Sequence, residues 1–412
     1  MKNSMRPFRG LIALEEARRI VFENMPVIDE TETVGLHDAV GRVLAEDVIA
    51  QADVPPYSRS AVDGYAVRAE DTYGAGRYSP VKLKVLESVH AGEVPKKTVK
   101  KGEAIQIATG AMIPDGADAV VMVENTEIEG EYVLIFKPAY PGSDVSGRGE
   151  DIKNGDVVLK AGERLSPAKV GAVSSLGITE IKVLRRPQVS VIPTGDEITA
   201  PGAELQEGKI YDINTYTLSS IARELGADVK TYPITPDRKE DIRKAIESAL
   251  PADIILLSGG SSVGERDVIV DVLDELGDVL FHGIQLKPGK PTVCGRITRE
   301  YDGNERKTMV FGMPGYPTSC LTNAYVLVAP LIKRLTGNRT PARVEKKSMS
   351  RRIVSTLGRH QIFTVRVEGE VAHPAFKESG AITSMTDADG YIEIPANVDL
   401  VEKGEMVDVV FF

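Results

Sequence analysis

Between residues 187 and 334, apolar runs of strand length alternate with segments that repeat at helical spacing. The runs fall at 189–192, 228–234, 253–257, 279–285 and 308–311, and the helical segments lie near 214–225, 237–250, 267–276 and 318–335. Ile242, Ala245, Ile246 and Ala249 form an i, i+3, i+4, i+7 stripe, as do Leu218, Ile221, Ala222 and Leu225. Such alternation predicts a mostly parallel sheet with helices on both faces, a three-layer α/β unit. Sheets of this kind bind ligands at the carboxyl ends of their strands. Chemistry in this chain is therefore expected wherever one of these strands stops.

Three glycine-bearing turns meet that condition. Ser258-Gly-Gly-Ser-Ser-Val-Gly-Glu-Arg-Asp267 follows the unbroken run Ile254-Ile-Leu-Leu257 and precedes Val268, Ile269, Val272, Leu273 and Leu276 at helical spacing. A strand-to-helix turn aims free N–H groups and the positive end of a helix dipole at what lies in front of it. Asp267 stands where that helix begins, where a carboxylate caps the helix, holds a metal ion, or does both. In Lys287-Pro288-Gly289-Lys290 the Pro-Gly pair suits a type II turn, which brings the two lysine Cα atoms within ~7 Å. Ammonium groups ~7 Å apart repel by roughly 2 kcal/mol at an effective dielectric of ~20, and an anion between them relieves that repulsion. The alternative is a surface turn whose lysines splay into water. Met309-Val-Phe-Gly-Met-Pro-Gly-Tyr-Pro-Thr-Ser-Cys320 repeats the strand–turn–helix pattern, with Thr318 and Ser319 as expected helix caps. Pro193-Thr-Gly-Asp-Glu197 and Asp237 also follow strands.

At 412 residues the chain exceeds one core and predicts two to four domains. A net charge of −10 argues against a general nucleic-acid or membrane-surface binder, so an anionic ligand has to be drawn by a local field. The two cysteines, Cys294 and Cys320, read as small core residues; the histidines show no zinc spacing. No signal peptide or membrane-length apolar run is visible, which gives the expectation of a soluble, cytoplasmic protein. Residues 51–141 carry short alternating strands between Gly, Pro and Asp turns and are expected to be a β-rich insertion within an N-terminal unit of residues 1–50 and 142–185. The α/β unit takes 186–335, and 336–412 alternate again as a small, barrel-like β-domain. An amphipathic helix is expected over 11–25, and a short helix followed by a strand over 36–47.

Seven segments together are more specific than any one. Ser58-Arg-Ser-Ala-Val-Asp-Gly-Tyr-Ala66, Ala108-Thr-Gly-Ala111, Glu150-Asp-Ile152, Thr194-Gly-Asp-Glu197, Ser258-Gly-Gly-Ser-Ser-Val-Gly-Glu265, Lys287-Pro-Gly-Lys-Pro291 and Pro314-Gly-Tyr-Pro-Thr-Ser319 run in one order. In that order the chain resembles, over nearly its whole length, the molybdopterin molybdenumtransferase family, which includes the E domain of gephyrin.

The resemblance implies a cytoplasmic homodimer of four-domain subunits that takes adenylated molybdopterin and molybdate, uses Mg2+, and releases AMP and molybdenum cofactor. It implies an active site between the α/β domain of one subunit and the inserted β-domain of the other. It also implies a molybdopterin adenylyltransferase upstream, and no nucleic-acid or membrane partner. By motif, Asp63, Thr109, Asp151, Glu197, Asp237 and Asp267 match catalytic positions, with Glu197 and Asp267 as cation ligands. Thr194, Gly195, Ser258, Gly259, Gly260, Ser261, Gly264, Pro314 and Gly315 match the phosphate and pterin positions. Lys287, Lys290, Pro291, Ser319, Arg359 and Ser384 match the oxyanion site. Local alternatives stand beside several of these. Asp237 also reads as a helix cap, Asp63 as a turn aspartate, Asp151 as a solvated loop residue, and Thr109 and Ser319 as local caps. The chain departs from the family's usual Pro-Gly-Asn-Pro with Tyr316, which lacks the paired donor and acceptor of an amide. That departure keeps a tungstate-inserting relative open as an alternative, and a non-catalytic pterin-binding scaffold is the other. The mechanism expected is electrostatic: acids hold magnesium on the phosphates, lysines hold the oxyanion, and no protein nucleophile is needed.

Overall fold

The computed structural model describes residues 10–259, 268–301, 303–338, 341–376 and 381–412. Its centre is a six-stranded sheet in the order Asp228–Thr231, Gln188–Pro193, Ile254–Ser258, Asn304–Met313, Val293–Tyr301, Asp278–His282. The first four strands are parallel; Val293–Tyr301 runs against both neighbours, so Asp278–His282 again points with the others. The Ile254–Ser258 strand is buried throughout, as a central parallel strand covered on both faces must be. Helices Lys239–Ala249 and Val268–Leu276 cover one face, and Asn214–Glu224 with the helical stretch from Pro317 to Leu335 covers the other. The α/β fold expected from the alternation is therefore observed.

The expectations differ from the structure in four places. Val293–Tyr301 pairs with Asn304–Met313 as a long hairpin that the run at 308–311 did not announce. Its outer arms carry Arg299, Glu300, Glu305, Arg306 and Lys307, which hide a strand from an apolar search. The segment 36–47 forms only the 3-10 turn Leu36–Asp38 and isolated bridges, not a helix and a strand. Helix Leu14–Asn24 falls by sequence within the N-terminal unit. Instead Leu14, Ala17, Val21 and Met25 join the core of the α/β domain, because its apolar stripe finds a larger partner there. The helix after the Pro314-Gly315 turn begins at Pro317, with Tyr316 in the capping position and no side-chain cap, so Thr318 and Ser319 lie inside its first turn rather than capping it.

The rest of the described chain forms three smaller units. Strands Thr31–Gly35 and Glu180–Leu184 pair beside helix Pro167–Ser175, which is capped by Ser166. Out of this unit grows a second six-stranded sheet running from Gly64–Val67 to Tyr132–Ile135, with Val54 bridging Ile152 and Ser60 pairing Val145 where the chain leaves and returns. The C-terminal strands close on themselves: His360–Glu368 pairs with both Val371–Pro374 and Gly390–Ile394, completing a small barrel. No helix among the described residues is long and apolar enough to cross a membrane.

Two joints tie the barrel to the α/β domain. Strand Leu286–Lys287 adds in parallel to His360–Glu368, with Leu286 opposite His360 and Lys287 opposite Gln361. At the second joint Arg18 makes a bidentate pair with Glu393 at 2.7 and 3.3 Å, and donates Nε to the Val326 carbonyl in the π-helical turn Ala324–Val328. His360 Nε2 faces the same carboxylate at 3.1 Å. Burial pushes the Glu393 pKa up, but the hydrogen bonds from His360 and Arg18 outweigh burial and hold it down at about 2. A depressed carboxyl stabilises the fold above its ordinary pKa, and the contribution fades as pH falls towards about 2. Replacing Glu393 with Gln is expected to loosen this joint by roughly 2 kcal/mol. The loss would appear as a lower first thermal transition at pH 7. Between pH 4.5 and 2 the substituted chain should also lack this part of the wild-type acid sensitivity.

Candidate active site

The strand order places the switch point of the sheet between Gln188–Pro193 and Ile254–Ser258, because the chain winds to one side of the first strand and then to the other. There the backbones approach closely. Thr194 N–H donates to the Ser258 carbonyl at 3.0 Å, and a Cβ on Gly259 would lie 2.2 Å from the Thr194 carbonyl oxygen. Gly259 also sits at φ +111°, so no other residue fits the position without moving the strand. The next strand ends beside it: Gly259 N–H donates to Met313 O, and the Gly315 carbonyl accepts from Asn214 Nδ2 at 2.9 Å. Asn214 opens its helix behind Asp212, which accepts from Thr215 N–H. Thr194, Gly195, Ser258, Gly259, Pro314 and Gly315 thus share one end of the sheet. Ser258 Oγ is buried there without a hydrogen-bond partner.

One flank of this crevice is acidic. Thr235 is tied to Pro193 and Gly195 by backbone hydrogen bonds, which brings the segment after Asp228–Thr231 alongside Thr194. Asp237 follows. Its helix begins at Lys239 with Arg238 in the cap position and no side-chain cap bond, so Asp237 is not the helix cap that its position suggested. Its Oδ1 is buried and has no hydrogen-bond partner. Burial raises its pKa most; the nearby Thr194 hydroxyl lowers it without reaching hydrogen-bond geometry, and the charges of Glu197 and Asp196 raise it again. The Glu197 carboxylate lies over Gly195, where a Cβ would come within 2.7 Å of Oε2. Asp196, Glu197 and Asp237 do not close into a ready-made ligand cluster, but an orphaned buried carboxylate oxygen within reach of two further negative charges suits a hard divalent cation, and magnesium takes one or two carboxylates with substrate phosphate oxygens, so these residues fit it.

The other flank is basic. Gly289 has the positive φ expected, +106°, and the Lys287–Pro288 peptide is cis. The turn is held from below by Asn323, whose Nδ2 donates to Gly289 O at 2.8 Å and to Thr292 Oγ1. Thr292 Oγ1 donates back to Gly289 O at 2.9 Å, and the Lys290 carbonyl accepts from Ile284 and Thr292 N–H. The lysines therefore do not simply splay from a loose surface turn. Lys287 Nζ donates to Thr356 Oγ1 of the barrel at 2.9 Å. Arg359 lies three residues further along the same loop, and Pro291 continues the lysine turn. Ser319 is buried in the first turn of its helix, where the neighbouring Thr318 hydroxyl donates to Ala381 O, close in sequence to the buried Ser384. Lys287, Lys290, Pro291, Ser319, Arg359 and Ser384 thus come from elements that meet at one joint between the α/β domain and the barrel. Tyr316 is 67% exposed.

Three of the acidic-site positions are elsewhere. Asp63 Oδ1 accepts from both Thr109 N–H at 2.7 Å and Thr109 Oγ1 at 2.8 Å, which holds its pKa down, the backbone bond most. Asp63 and Thr109 are thus one unit of the inserted domain, and the exposed Asp151 follows on the returning chain. Among the described residues, no hydrogen bond or ion pair joins the inserted domain to the α/β domain of the same chain. Gly260, Ser261, Gly264 and Asp267 lie outside the described residues. Asn214, Asn323, Thr356 and Gln361 escape motif reading, since each acts through hydrogen bonds that no local pattern marks.

The chain matches the MoeA N-terminal region (domains I and II) over residues 12–177, a molybdopterin binding domain over 190–334, and the MoeA C-terminal region (domain IV) over 346–412. It is 38% identical to a molybdopterin biosynthesis protein of Methanocaldococcus jannaschii, over 98% of this chain and 99% of that one. It is 37% identical to the molybdopterin molybdenumtransferase of Haemophilus influenzae, over 80% and 79% of the two chains. Crystal structures of the MoeA molybdopterin biosynthesis protein of Pyrococcus horikoshii superpose with TM-scores of 0.83 and 0.82 at 44% and 34% identity, each covering 98% of this chain and 99% and 100% of theirs.

Proposed function

The chain belongs to the MoeA family, the molybdopterin molybdenumtransferases of molybdenum cofactor biosynthesis, and from that premise we propose that it inserts molybdate into adenylated molybdopterin with magnesium-dependent release of AMP. The observation that carries this is the division of one sheet rim. Glycine turns at the switch point are flanked by Asp237 and Glu197 on one side and by Lys287 and Lys290 on the other. The two flanks are three to five strand spacings apart, roughly 14–24 Å. A pterin and a nucleoside joined through a pyrophosphate have that reach.

In this proposal Asp237 and Glu197 hold the cation, and Asp267 is expected to join them. A magnesium ion bound there would offset the negative charge of the phosphate oxygens. The glycine turns at Gly195 and Gly259, with the buried and unpartnered Ser258 hydroxyl, position the pyrophosphate. Lys287, Lys290, Arg359 and the buried hydroxyls of Ser319 and Ser384 hold the oxyanion beside the dithiolene. An oxygen of the oxyanion, or of water, forms a bond to one phosphorus while the bridging P–O bond breaks; the bridging oxygen leaves with the departing phosphate. No covalent protein intermediate is required. A second copy of the chain supplies Asp63, Thr109 and Asp151, which the single chain does not bring to its own rim. That part has its own test. Chains carrying Asp63→Asn and chains carrying Asp237→Asn, each inactive alone, should recover roughly a quarter of wild-type turnover when mixed and reassociated, the share of sites that are intact in a random dimer.

The deciding experiment is AMP release from adenylated molybdopterin with magnesium and molybdate. Release that requires both supports the proposal. Tight pterin binding with no AMP released, at any oxyanion concentration, would leave only a scaffold. Preference for tungstate in direct competition would assign the alternative oxyanion.

A further inference from the structure

We propose that Thr356 is a further oxyanion-site residue, which orients Lys287 and offers its own hydroxyl to the same anion; this rests on Lys287 binding the oxyanion. Thr356 belongs to the barrel, in the loop between Ile353–Val354 and His360–Glu368. It is half-buried, and its Oγ1 accepts from Lys287 Nζ at 2.9 Å. The loop is not free to move. Ser355 N–H donates to Asp399 O, and Gly358 N–H to Ala396 O. Gln361, 2% exposed, accepts through Oε1 from Thr356 N–H at 3.1 Å and from Ser355 Oγ at 3.0 Å. Gln361 is itself the residue opposite Lys287 where the two strands pair. Strand, glutamine, threonine and lysine therefore form one closed circuit across the domain joint.

The chemistry of the acceptor gives the circuit its use. An ammonium has three N–H donors. A hydroxyl takes one of them and fixes the side chain, but leaves the positive charge whole and two donors for the ligand. A carboxylate in the same place would neutralise the lysine and repel an oxyanion. Because Oγ1 is engaged as an acceptor, its own O–H is left to donate, and it has no acceptor among the described residues. Two donors thus converge, one charged and one neutral. The barrel's position then becomes a direct determinant of oxyanion affinity, since moving it carries Thr356 away from Lys287.

The test follows AMP release against molybdate concentration with the full chain, alongside binding of the adenylated pterin. In Thr356→Val the molybdate concentration for half-maximal rate should rise about tenfold, with kcat within about twofold and pterin affinity unchanged. Thr356→Ser, which keeps both roles of the hydroxyl, should return it to within about twofold of wild type. Thr356→Asp should raise it by about a hundredfold, and its exposed half makes folding secure if the valine variant proves unstable. Lys287→Ala separates the two layers. If it raises the half-saturating molybdate while Thr356→Val and Thr356→Asp do not, the threonine assignment fails alone. If Lys287→Ala leaves the molybdate dependence unchanged, the oxyanion reading fails and takes this inference with it.

Discussion

Replacing Asp237 with asparagine is expected to slow AMP release about 10³-fold while leaving the protein as stable as before, or more so. The first half follows from charge. Asp237 has a buried oxygen with no partner, next to Glu197 and Asp196. An amide keeps the shape and one acceptor oxygen but removes the charge that a divalent cation requires. Losing a ligand that helps neutralise phosphate charge is worth roughly 4 kcal/mol in the transition state, which converts to about 10³ in rate. The second half follows from linkage. Burial first, then Glu197 and Asp196, raise the Asp237 pKa above that of the unfolded chain. Its ionised form therefore works against folding at neutral pH, and without bound cation this part of the stability improves as pH falls through the raised pKa. Asparagine removes that burden. For the same reason protons compete with the cation at higher pH than for an ordinary aspartate, so half-saturating magnesium should climb as the medium is acidified. Thermal melting and magnesium titration of both proteins test both halves. Turnover of Asp237→Asn within tenfold of wild type at saturating magnesium would remove Asp237 from the site.

The α/β domain was legible because burial on both faces leaves continuous apolar strands such as Ile254-Ile-Leu-Leu257, and because glycine is required where two backbones approach. Gly259 and Gly289 stand out in the sequence for that reason. Other features depend on partners far away in sequence. Val293–Tyr301 is long and interrupted by Arg296, Arg299 and Glu300, and is a strand because Asn304–Met313 pairs with it residue for residue. Helix Leu14–Asn24 shows its apolar stripe plainly, but the stripe does not say which core it will join. At the site, Asp237 had a strong sequence reading as a helix cap and, only by position, one as a member of the acidic set; the absence of a cap bond and the influence of Glu197 favour the second. Thr356 and Asn323 had none, since a lone threonine in a loop and an asparagine within a helix are ordinary until the lysine turn is laid against them.

Alanine at Gly259 and alanine at Gly289 should damage different halves of the same rim. At Gly259 a Cβ would sit 2.2 Å from a backbone oxygen, that of Thr194, at φ +111°. Neither strand can yield without losing the pairing of Pro193 with Ser258. Strain and displacement together cost roughly 3 kcal/mol, enough to weaken binding of the adenylated pterin about a hundredfold. At Gly289 the obstacle is the amide of Asn323, which is fully buried; a Cβ would lie 2.1 Å from its Oδ1, at φ +106°. The lysine turn must lift away from that helix and carry both ammonium groups with it. Half-saturating molybdate should then rise about a hundredfold, with pterin affinity changed by less than about threefold. Adding Asn323→Ala to Gly289→Ala removes the collision but also the two donors that hold the turn, so oxyanion affinity should recover only in part. The two single variants, compared by pterin binding and by molybdate dependence once circular dichroism shows each to be folded, make a crossed test. If each loses both affinities to the same extent, the rim behaves as one cooperative unit. Lys287 and Lys290 would then have no claim to an oxyanion pocket separate from the phosphate crevice.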